Sequence, residues 1–320
     1  MARPETVRTR ERVKGDTWRT STETTKYDSY GLPYQVEEKT PSGKLRCSTV
    51  SYARNTSAYL IELESREKTT LGACGTTGGE VVEDTRTLYD NLAFGAAPTK
   101  GLPTEVQELN GTGDGYITID KTEYDIHGRE VATWDADNRK TWMEYTPATV
   151  ARPTKQVSHD PLGHTETTEF DDVRGLPKKE TDANGKSATM EYDPLGRLLK
   201  VWEIDRDPAT QTPSATYDYT VRRDGPTIVT SRTLKDNGKY AVSYEILDGL
   251  LRERQTQDEA VGAGRIVNDS FYDSIGRKWK ENDGYYNDKE PEAKLLPVGD
   301  QDVPSQTRTT FDGLGQPTAE

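Results

Sequence analysis

The chain has little of the material from which a thick hydrophobic core is built. Only 31% of its 320 residues are hydrophobic, against ~45–50% in ordinary soluble domains, a figure that also counts glycine. Phenylalanine occurs 4 times and tyrosine 17 times, and tyrosine, like the frequent threonine, favours strands because it suits a pleated, half-wet surface. The composition predicts sheets with two wet faces. Disorder of the whole chain is disfavoured, because a net charge of −13 is modest and aromatic residues occur throughout.

Long apolar runs are also lacking. The longest stretches, such as Ala58–Ile61, are far shorter than the ~18–20 residues that a membrane-spanning helix requires. The N-terminus lacks the apolar segment of a secretory signal. We therefore expect no membrane span and no signal peptide in this chain.

No basic patch is visible. The Arg3–Lys14 cluster is interleaved with Glu5 and Glu11, whereas a nucleic-acid-binding surface needs a basic patch or stripe. The acidic balance argues against nucleic acid as a partner.

Cysteine is scarce, and the two present are Cys47 and Cys74. They are compatible with one disulfide or with two free thiols, and no CxxC or Cys/His zinc spacing occurs. The sequence leaves both states open, and compartment would decide between them.

What the chain does have is a repeated turn pattern of an aromatic residue, aspartate, two variable residues, glycine and often arginine. The strict copies are Tyr124-Asp125-Ile126-His127-Gly128-Arg129, Tyr192-Asp193-Pro194-Leu195-Gly196-Arg197 and Tyr272-Asp273-Ser274-Ile275-Gly276-Arg277. Looser copies are Tyr27-Asp28-Ser29-Tyr30-Gly31 and Phe311-Asp312-Gly313-Leu314-Gly315. Copies that lack the aromatic residue are Asp135-Ala136-Asp137-Asn138, Asp160-Pro161-Leu162-Gly163, Asp172-Val173-Arg174-Gly175 and Asp182-Ala183-Asn184-Gly185.

Each copy predicts a tight turn. Aspartate at the first position accepts hydrogen bonds from later backbone N–H groups, and glycine or asparagine at the fourth tolerates positive φ. The turn aspartates Asp160, Asp172, Asp182 and Asp193 follow one another at steps of 12, 10 and 11 residues. Asp236-Asn237-Gly238 adds an Asn-Gly hairpin signal. Short strands with turn signals every ~8–12 residues predict an all-β, antiparallel fold of hairpin repeats.

These repeats resemble the YD or Rhs repeat of bacterial polymorphic toxins and cell-surface proteins, also found in teneurins, over almost the whole chain. The resemblance implies a segment of a β-sheet that spirals into a hollow shell. It implies that Tyr124, Tyr192 and Tyr272 pack within the wall, that the aspartates and glycines make its turns, and that Arg129, Arg197 and Arg277 cross-link neighbouring strands.

Two copies depart from the pattern, and both ends of the array look cut. Asp248-Gly249-Leu250-Leu251-Arg252 has leucine where the final glycine belongs, and Tyr89-Asp90 reaches Gly95 two residues late. We expect residues 1–26 to be a leading strand region and residues 27–320 to be the shell segment, truncated at its C-terminal end. Unpaired strand edges would then make the isolated piece prone to association.

No catalytic residue, cofactor or metal site is expected. The three histidines, His127, His159 and His164, occupy turn or turn-adjacent positions and have no HExxH or cysteine partner. Gly111-Thr112-Gly113-Asp114-Gly115 lacks the Lys-Ser/Thr ending of a phosphate-binding loop. A short helix over Asp288–Leu296 is the only helical candidate, and Pro291 and Pro297 limit it.

Three functions remain for this sequence. The first is a wall segment of a larger secreted or cell-surface protein, whose partners are the rest of that polypeptide and an enclosed effector domain. The second is an adhesion module that stacks surface glycans on Trp134, Trp142, Trp202 and Trp279. A polysaccharide-acting enzyme ranks third, because it rests on acid content alone.

Overall fold

The computed structural model describes residues 5–319, and strands account for nearly all of its regular structure. The chain divides into two compact units, Met1–Thr165 and Glu166–Glu320. The expected boundary after residue 26 falls inside the second strand, and it stays a prediction. Residues 1–4 and 320, which belong to the two expected regions and include Arg3 of the N-terminal cluster, lie outside the described residues.

In the first unit each strand pairs antiparallel with the next one along the chain. A short 3-10 helix, Thr56–Ala58, joins the fourth strand to the fifth. The strands are β1 (Thr6–Arg12), β2 (Trp18–Tyr27), β3 (Pro33–Lys39), β4 (Leu45–Asn55), β5 (Leu60–Leu71), β6 (Val81–Tyr89), β7 (Pro103–Leu109), β8 (Tyr116–Tyr124), β9 (Glu130–Asp135), β10 (Lys140–Thr146) and β11 (Lys155–His159).

The second unit repeats this sequential antiparallel pairing and adds a separate hairpin. Its strands are β12 (Thr165–Phe170), β13 (Pro177–Thr181), β14 (Ser187–Tyr192), β15 (Leu198–Trp202), β16 (Ala215–Thr220), β17 (Thr227–Leu234), β18 (Tyr240–Leu247), β19 (Glu253–Glu259), β20 (Arg265–Tyr272), β21 (Lys278–Asn287), β22 (Gln306–Arg308), β23 (Thr310–Phe311) and β24 (Pro317–Ala319). The predicted all-β, antiparallel class is confirmed.

Sequential pairing places successive turns alternately at two edges of each unit. Apart from the Phe311 turn, which follows β23 in the separate hairpin, the turns that carry an aromatic residue before aspartate follow even-numbered strands, as after β8, β14 and β20, and so share one edge. We call this the aromatic-turn edge of each unit. The turns that begin at Asp135 and Asp182 follow odd-numbered strands and lie at the opposite edge.

Burial of apolar side chains is sparse, as the composition predicts. Among residues 5–319, nine hydrophobic side chains are buried, three of them in a cluster of Val267, Tyr285 and Val303. The accessible surface is 20448 Å², whereas a compact protein of 35.8 kDa exposes about 13,000 Å². Backbone pairing, more than hydrophobic burial, therefore holds these sheets together.

The best-buried region of the second unit lies beneath residues 288–303, which we call the strap. The short helix expected within it does not form, because the two prolines break the backbone hydrogen-bond pattern of a helix. The strap instead crosses β19 without regular structure and ends in a 3-10 helix, Asp300–Asp302. Over β19 a side-chain amide takes the place of a strand partner. The Leu296 N–H donates to Gln255 Oε1 at 2.9 Å, and Gln255 Nε2 donates to the Leu296 carbonyl at 2.9 Å.

Candidate functional site

The turn at Asp125 shows how the repeat motif works. Asp125 N–H donates to the Arg129 carbonyl at 2.9 Å, and Gly128 N–H donates to the Asp125 carbonyl at 3.1 Å. Carboxylate Oδ1 accepts from the N–H groups of His127 and Arg129 at 2.8 and 3.0 Å, and Arg129 Nε donates to Oδ2 at 2.7 Å. Gly128 has φ +79°. This is a tight hydrogen-bonded turn closed by a glycine in the left-handed region.

The same geometry recurs wherever the motif occurs. Arginine Nε donates to the turn carboxylate at 2.6 Å in the Asp193 turn and at 2.7 Å in the Asp273 turn. In the turns without that arginine, the carboxylate still accepts two backbone N–H groups. These turns begin at Asp28, Asp182 and Asp312, and their glycines with positive φ are Gly31, Gly185 and Gly315.

These contacts keep the turn carboxylates ionised. In Asp193, partial desolvation opposes ionisation, but the backbone N–H and guanidinium of Arg197 outweigh it and lower the pKa below its ordinary value. Asp125 and Asp273 have lowered pKa values for the same combination of reasons. The shift reflects charge-assisted hydrogen bonding within the turn.

Each motif arginine also reaches the aromatic residue of the next turn along its edge. In the first unit, Arg129 lies over the Tyr145 ring at 4.2 Å. In the second unit, Arg197 lies over Tyr219 at 4.5 Å and Arg277 over Phe311 at 4.4 Å. These are cation–π contacts between successive turns, while the expected cross-linking role of the arginines stays a prediction.

The motif tyrosines hold a second contact that the sequence analysis missed. Tyr124 and Tyr192 donate their hydroxyls to the Pro103 and Pro177 carbonyls, at 3.0 and 2.8 Å, at the start of the preceding strand. Both prolines lie in a recurring Gly-Leu-Pro sequence that could have signalled the contact. Its copies are Gly31-Leu32-Pro33, Gly101-Leu102-Pro103 and Gly175-Leu176-Pro177. Tyr272 lies under the guanidinium of Arg252, at 4.2 Å.

One turn begins a residue earlier than the sequence suggested. The N–H of Asp171, not of Asp172, donates to the Leu176 carbonyl at 2.8 Å, and Gly175 N–H donates to the Asp171 carbonyl at 2.9 Å. The turn contains one more residue than the strict copies, so the motif spacing pointed to Asp172 as its first residue. With Asp171 as first residue, the aspartates from Asp160 to Asp193 follow one another at equal steps of 11 residues.

The turn at Asp90 closes on Gly101 and not on Gly95. Its N–H donates to the Leu102 carbonyl at 2.8 Å, and its carboxylate accepts the N–H groups of Lys100, Gly101 and Leu102. Partial desolvation acts against ionisation, but these N–H groups lower the pKa of Asp90 to about 2. The turn therefore keeps two of the motif's hydrogen bonds around an eight-residue insertion, while the Gly101 N–H donates to the carboxylate instead of the Asp90 carbonyl.

The turn with leucine in the glycine position also forms. Leu251 N–H donates to the Asp248 carbonyl at 3.0 Å, and Arg252 Nε donates to the Asp248 carboxylate at 2.8 Å. Leu251 adopts φ +59°, a left-handed conformation that an L side chain disfavours. The hydrogen bonds of the turn therefore override the preference of the residue.

The two cysteines lie in the first unit, one on β4 and one in the connection from β5 to β6. Cys47 Sγ and Cys74 Sγ are joined at 2.00 Å as a disulfide. Cys47 is buried. The bridge ties the connection to the sheet.

The four tryptophans considered for glycan stacking are engaged by protein groups. Trp142 stacks on His159 with ring centroids 4.3 Å apart, and Trp134 is covered by Lys121 and Lys140. In the second unit, Trp202 is buried and its indole N–H donates to the Gln211 carbonyl at 2.9 Å. Trp279 is tilted against Phe271 at a centroid distance of 6.5 Å. Of the four, Trp202 is buried and Trp279 keeps 38% of its surface exposed.

Acidic side chains meet in one surface cleft of the first unit, of about 350 Å³. Its lining includes Glu83, Asp84 and Glu108. Asp84 is buried and accepts from Arg66 Nε at 2.7 Å. Desolvation opposes its ionisation, but Arg66 lowers its pKa, which is the opposite of what a general acid requires. Across residues 5–319, no three His, Cys, Asp or Glu side chains are placed to share a metal ion.

No helix in the described part of the chain is long and apolar enough to cross a membrane.

His127 lies in the Asp125 turn and His164 in the Asp160 turn, where His164 Nδ1 is 2.7 Å from Asp160 Oδ2. His164 therefore occupies the position that arginine holds in the strict copies.

Comparison with known proteins agrees with this geometry. Residues 170–201 match the family model of the RHS repeat, and they contain the turns at Asp171, Asp182 and Asp193. No curated protein sequence matches the chain.

Solved structures share the fold at low sequence identity. Crystal structures described as TcdB2-TccC3-Cdc42 and TcdB2-TccC3 match with TM-scores of 0.62 and 0.61, at 10% and 12% identity over 94% of this chain. A structure of TcdB2-TccC3 without its hypervariable C-terminal region matches with a TM-score of 0.50, at 14% identity over 92%. The chain spans 24%, 22% and 15% of those chains. The RHS repeat at 170–201, with the shared fold around it, confirms the resemblance of this chain to the Rhs/YD-repeat family.

Proposed function

We propose that the chain is a structural segment of an Rhs-repeat wall that encloses a C-terminal toxin or effector domain of the same polypeptide. The carrying observation is the recurring aspartate turn, together with four arginines of such turns that each lie over the aromatic ring at the next turn of the same edge. Such contacts stiffen a thin sheet along its edge.

The fold match supports enclosure. The matching structures include one from which a hypervariable C-terminal region was removed, so a related wall occurs with a variable region in one assembly. The sparse apolar burial of the sheets also fits a wall with water on both faces, since such a wall needs little hydrophobic core. The disulfide suits an oxidising compartment, and we infer that the protein acts outside the cell.

The experiment uses the complete polypeptide from which the chain derives. We expect small-angle scattering to give the pair-distance distribution of a hollow particle, and we expect a region that follows the wall to resist added protease. The same region, expressed alone at equal concentration, serves as control and should be digested. A compact, filled particle, or equal digestion of the region with and without the wall, would contradict enclosure.

A further inference from the structure

The first three strands of the first unit separate basic from acidic side chains onto opposite faces of the sheet. Residues that pair directly across antiparallel strands share a face, whereas neighbours along one strand point to opposite faces. In this part of the sheet β1 pairs with β2, and β2 pairs with β3. The cations that these registers place on one side, which we call the basic face, are Arg8, Arg10, Arg12, Lys26 and Lys39.

The basic face carries little negative charge. Glu11, Glu23 and Glu38 lie on the opposite face of the same three strands. Among the described residues of β1–β3, the one carboxylate on the basic face is that of Glu37, and it accepts the Cys74 N–H at 2.8 Å. Strand pairing therefore separates charges that are interleaved along the sequence.

The cations of the basic face are accessible to a partner, since all five are exposed. Within residues 5–319, the one salt bridge that they form joins Arg12 to Asp16 at 2.8 Å. The other four have no paired carboxylate in that part of the chain. Unpaired like charges gathered on one face create a positive potential, which attracts an anionic partner.

The layout of the face fits a planar anionic partner. From Arg8 to Arg12 the cations extend about 14 Å along β1, and Lys39 lies about 10 Å to the side, on β3. Clusters of about four to eight Lys or Arg side chains bind anionic lipid headgroups. Trp18 pairs directly with Arg12 and is 56% exposed, and tryptophan prefers the headgroup region of a bilayer.

A nucleic acid fits the same face less well. Proteins that bind single strands stack successive bases on several aromatic side chains, whereas Trp18 is the one aromatic side chain that β1–β3 place on the basic face among their described residues. The major groove of a duplex admits a two-stranded ribbon, but Lys39 extends the face to a third strand.

From the separation of charge, the unpaired cations and the exposed Trp18, we propose that the basic face of β1–β3 docks on an anionic membrane surface. The cations lie against lipid phosphates and carboxylates, and Trp18 lies at the level of the headgroups. The net charge of −13 does not prevent this contact, because charges more than about 10 Å apart are largely screened at ~0.1 M salt. The proposal goes beyond the enclosure of an effector domain and does not rest on it.

The test is co-sedimentation of the 320-residue chain with vesicles of phosphatidylserine and phosphatidylcholine, and with vesicles of phosphatidylcholine alone, at ~0.1 M salt. The face variant combines Arg8→Gln with Arg10→Gln. The control combines Arg19→Gln with Arg46→Gln, which removes the same charge from the opposite face. Circular dichroism of all proteins checks that the sheets are intact.

We expect the chain and the control to bind the phosphatidylserine vesicles and not the neutral ones. The face variant should bind about thirtyfold more weakly, since each cation near an anionic membrane contributes ~fivefold. Arg8→Lys with Arg10→Lys should restore binding. No binding of the unmodified chain would overturn the proposal, and so would equal loss in face variant and control, because net charge alone would then explain the binding.

Two further measurements test the choice of partner. Brominated phosphatidylcholine in the anionic vesicles should quench tryptophan fluorescence of the chain, and Trp18→Ala should remove that quenching. Undiminished quenching in Trp18→Ala would show that another surface meets the membrane. Binding of an oligonucleotide or of a soluble sulfated polysaccharide as tight as that of the vesicles would overturn the assignment to a membrane.

Discussion

Leu251 shows how far a turn can force a single residue. Its φ of +59° costs an L-residue roughly 1–2 kcal/mol, while glycine adopts the conformation freely but loses ~0.5–1 kcal/mol of backbone entropy on folding. The other turns of the repeat have glycine or asparagine at this position. The structure therefore identifies Leu251 as a locally strained residue on the surface.

We expect Leu251→Gly to stabilise the chain by up to about 1 kcal/mol, because relief of strain exceeds the entropy cost. The measurement is the midpoint of urea unfolding. Leu250→Gly is the matched control, since Leu250 is similarly exposed but has no positive φ, and it should destabilise slightly. Destabilisation by both substitutions would show that Leu251 is not strained.

Asp90 gives the clearest pH dependence at the residue scale. Its folded-state pKa of about 2 lies below the ordinary 3.8, so its stabilisation is present above about pH 4 and is lost as the pH falls towards 2. Asp90→Asn removes this titration. We expect the variant to be less stable at neutral pH and to lose less stability between about pH 4 and pH 2.

The check is thermal unfolding at a series of pH values between neutral and acid. Asp236→Asn is the control, because the Asp236 turn begins at Lys235 and its hydrogen bonds come from Lys235 and Asn237. If the unfolding temperatures of the unmodified chain and of Asp90→Asn fell by the same amount between about pH 4 and pH 2, Asp90 would contribute no pH-dependent stability.

At the scale of the element, the disulfide closes the connection between β5 and β6 onto β4. It spans 27 residues, which corresponds to ~3.5 kcal/mol in the chain-entropy model. We expect Cys47→Ala with Cys74→Ala to lower the free energy of unfolding by about that amount. Thiol titration of the denatured, unreduced chain should find no free thiol, and two free thiols would refute the bridge.

Buried side-chain amides hold the strap by bonding to its backbone N–H and C=O groups, as a neighbouring strand would. Gln257 Oε1 accepts from Glu292 N–H at 3.0 Å and from Arg265 at 2.7 Å, and Gln257 Nε2 donates to the Lys294 carbonyl at 2.8 Å. Arg265 is fully buried. Loss of the amide would leave buried donors without acceptors, and that is costly.

We expect Gln257→Leu to lower the free energy of unfolding by about 3 kcal/mol and to accelerate hydrogen exchange at the Glu292 and Leu296 amides. Gln107→Leu is the control on β7, where the amide is partly exposed and donates to Glu105. It should change stability by less than about 0.5 kcal/mol. Unchanged exchange in the strap of Gln257→Leu would mean that other contacts hold it.

At the scale of the whole molecule, the small apolar burial has a calorimetric consequence. Exposure of apolar surface on unfolding raises the heat capacity and exposure of polar surface lowers it, giving ~12–15 cal/mol/K per residue in globular proteins. We expect this chain to fall below that range in scanning calorimetry. A globular protein of similar length is the control, and a value within the range would show hidden apolar burial.

The sequence by itself determined the all-β class and most hairpin turns. Turn chemistry is local, since aspartate, glycine and the following arginine lie within five residues and bind one another directly. The two turns that the sequence analysis placed incorrectly, at Asp90 and Asp171, are those in which inserted residues separate the aspartate from the glycine that closes the turn. Local patterns cannot show which distant glycine closes such a turn.

Only the tertiary structure decided which strands and side chains meet. The Asp28 turn has no arginine of its own, and the guanidinium of Arg54 on β4 donates to the Asp28 carboxylate instead. The Tyr–Pro contacts join neighbouring strands, and the strap finds its amide partners some 35–41 residues away in sequence. These contacts follow from strand pairing and register, which bring residues together across the chain irrespective of local sequence.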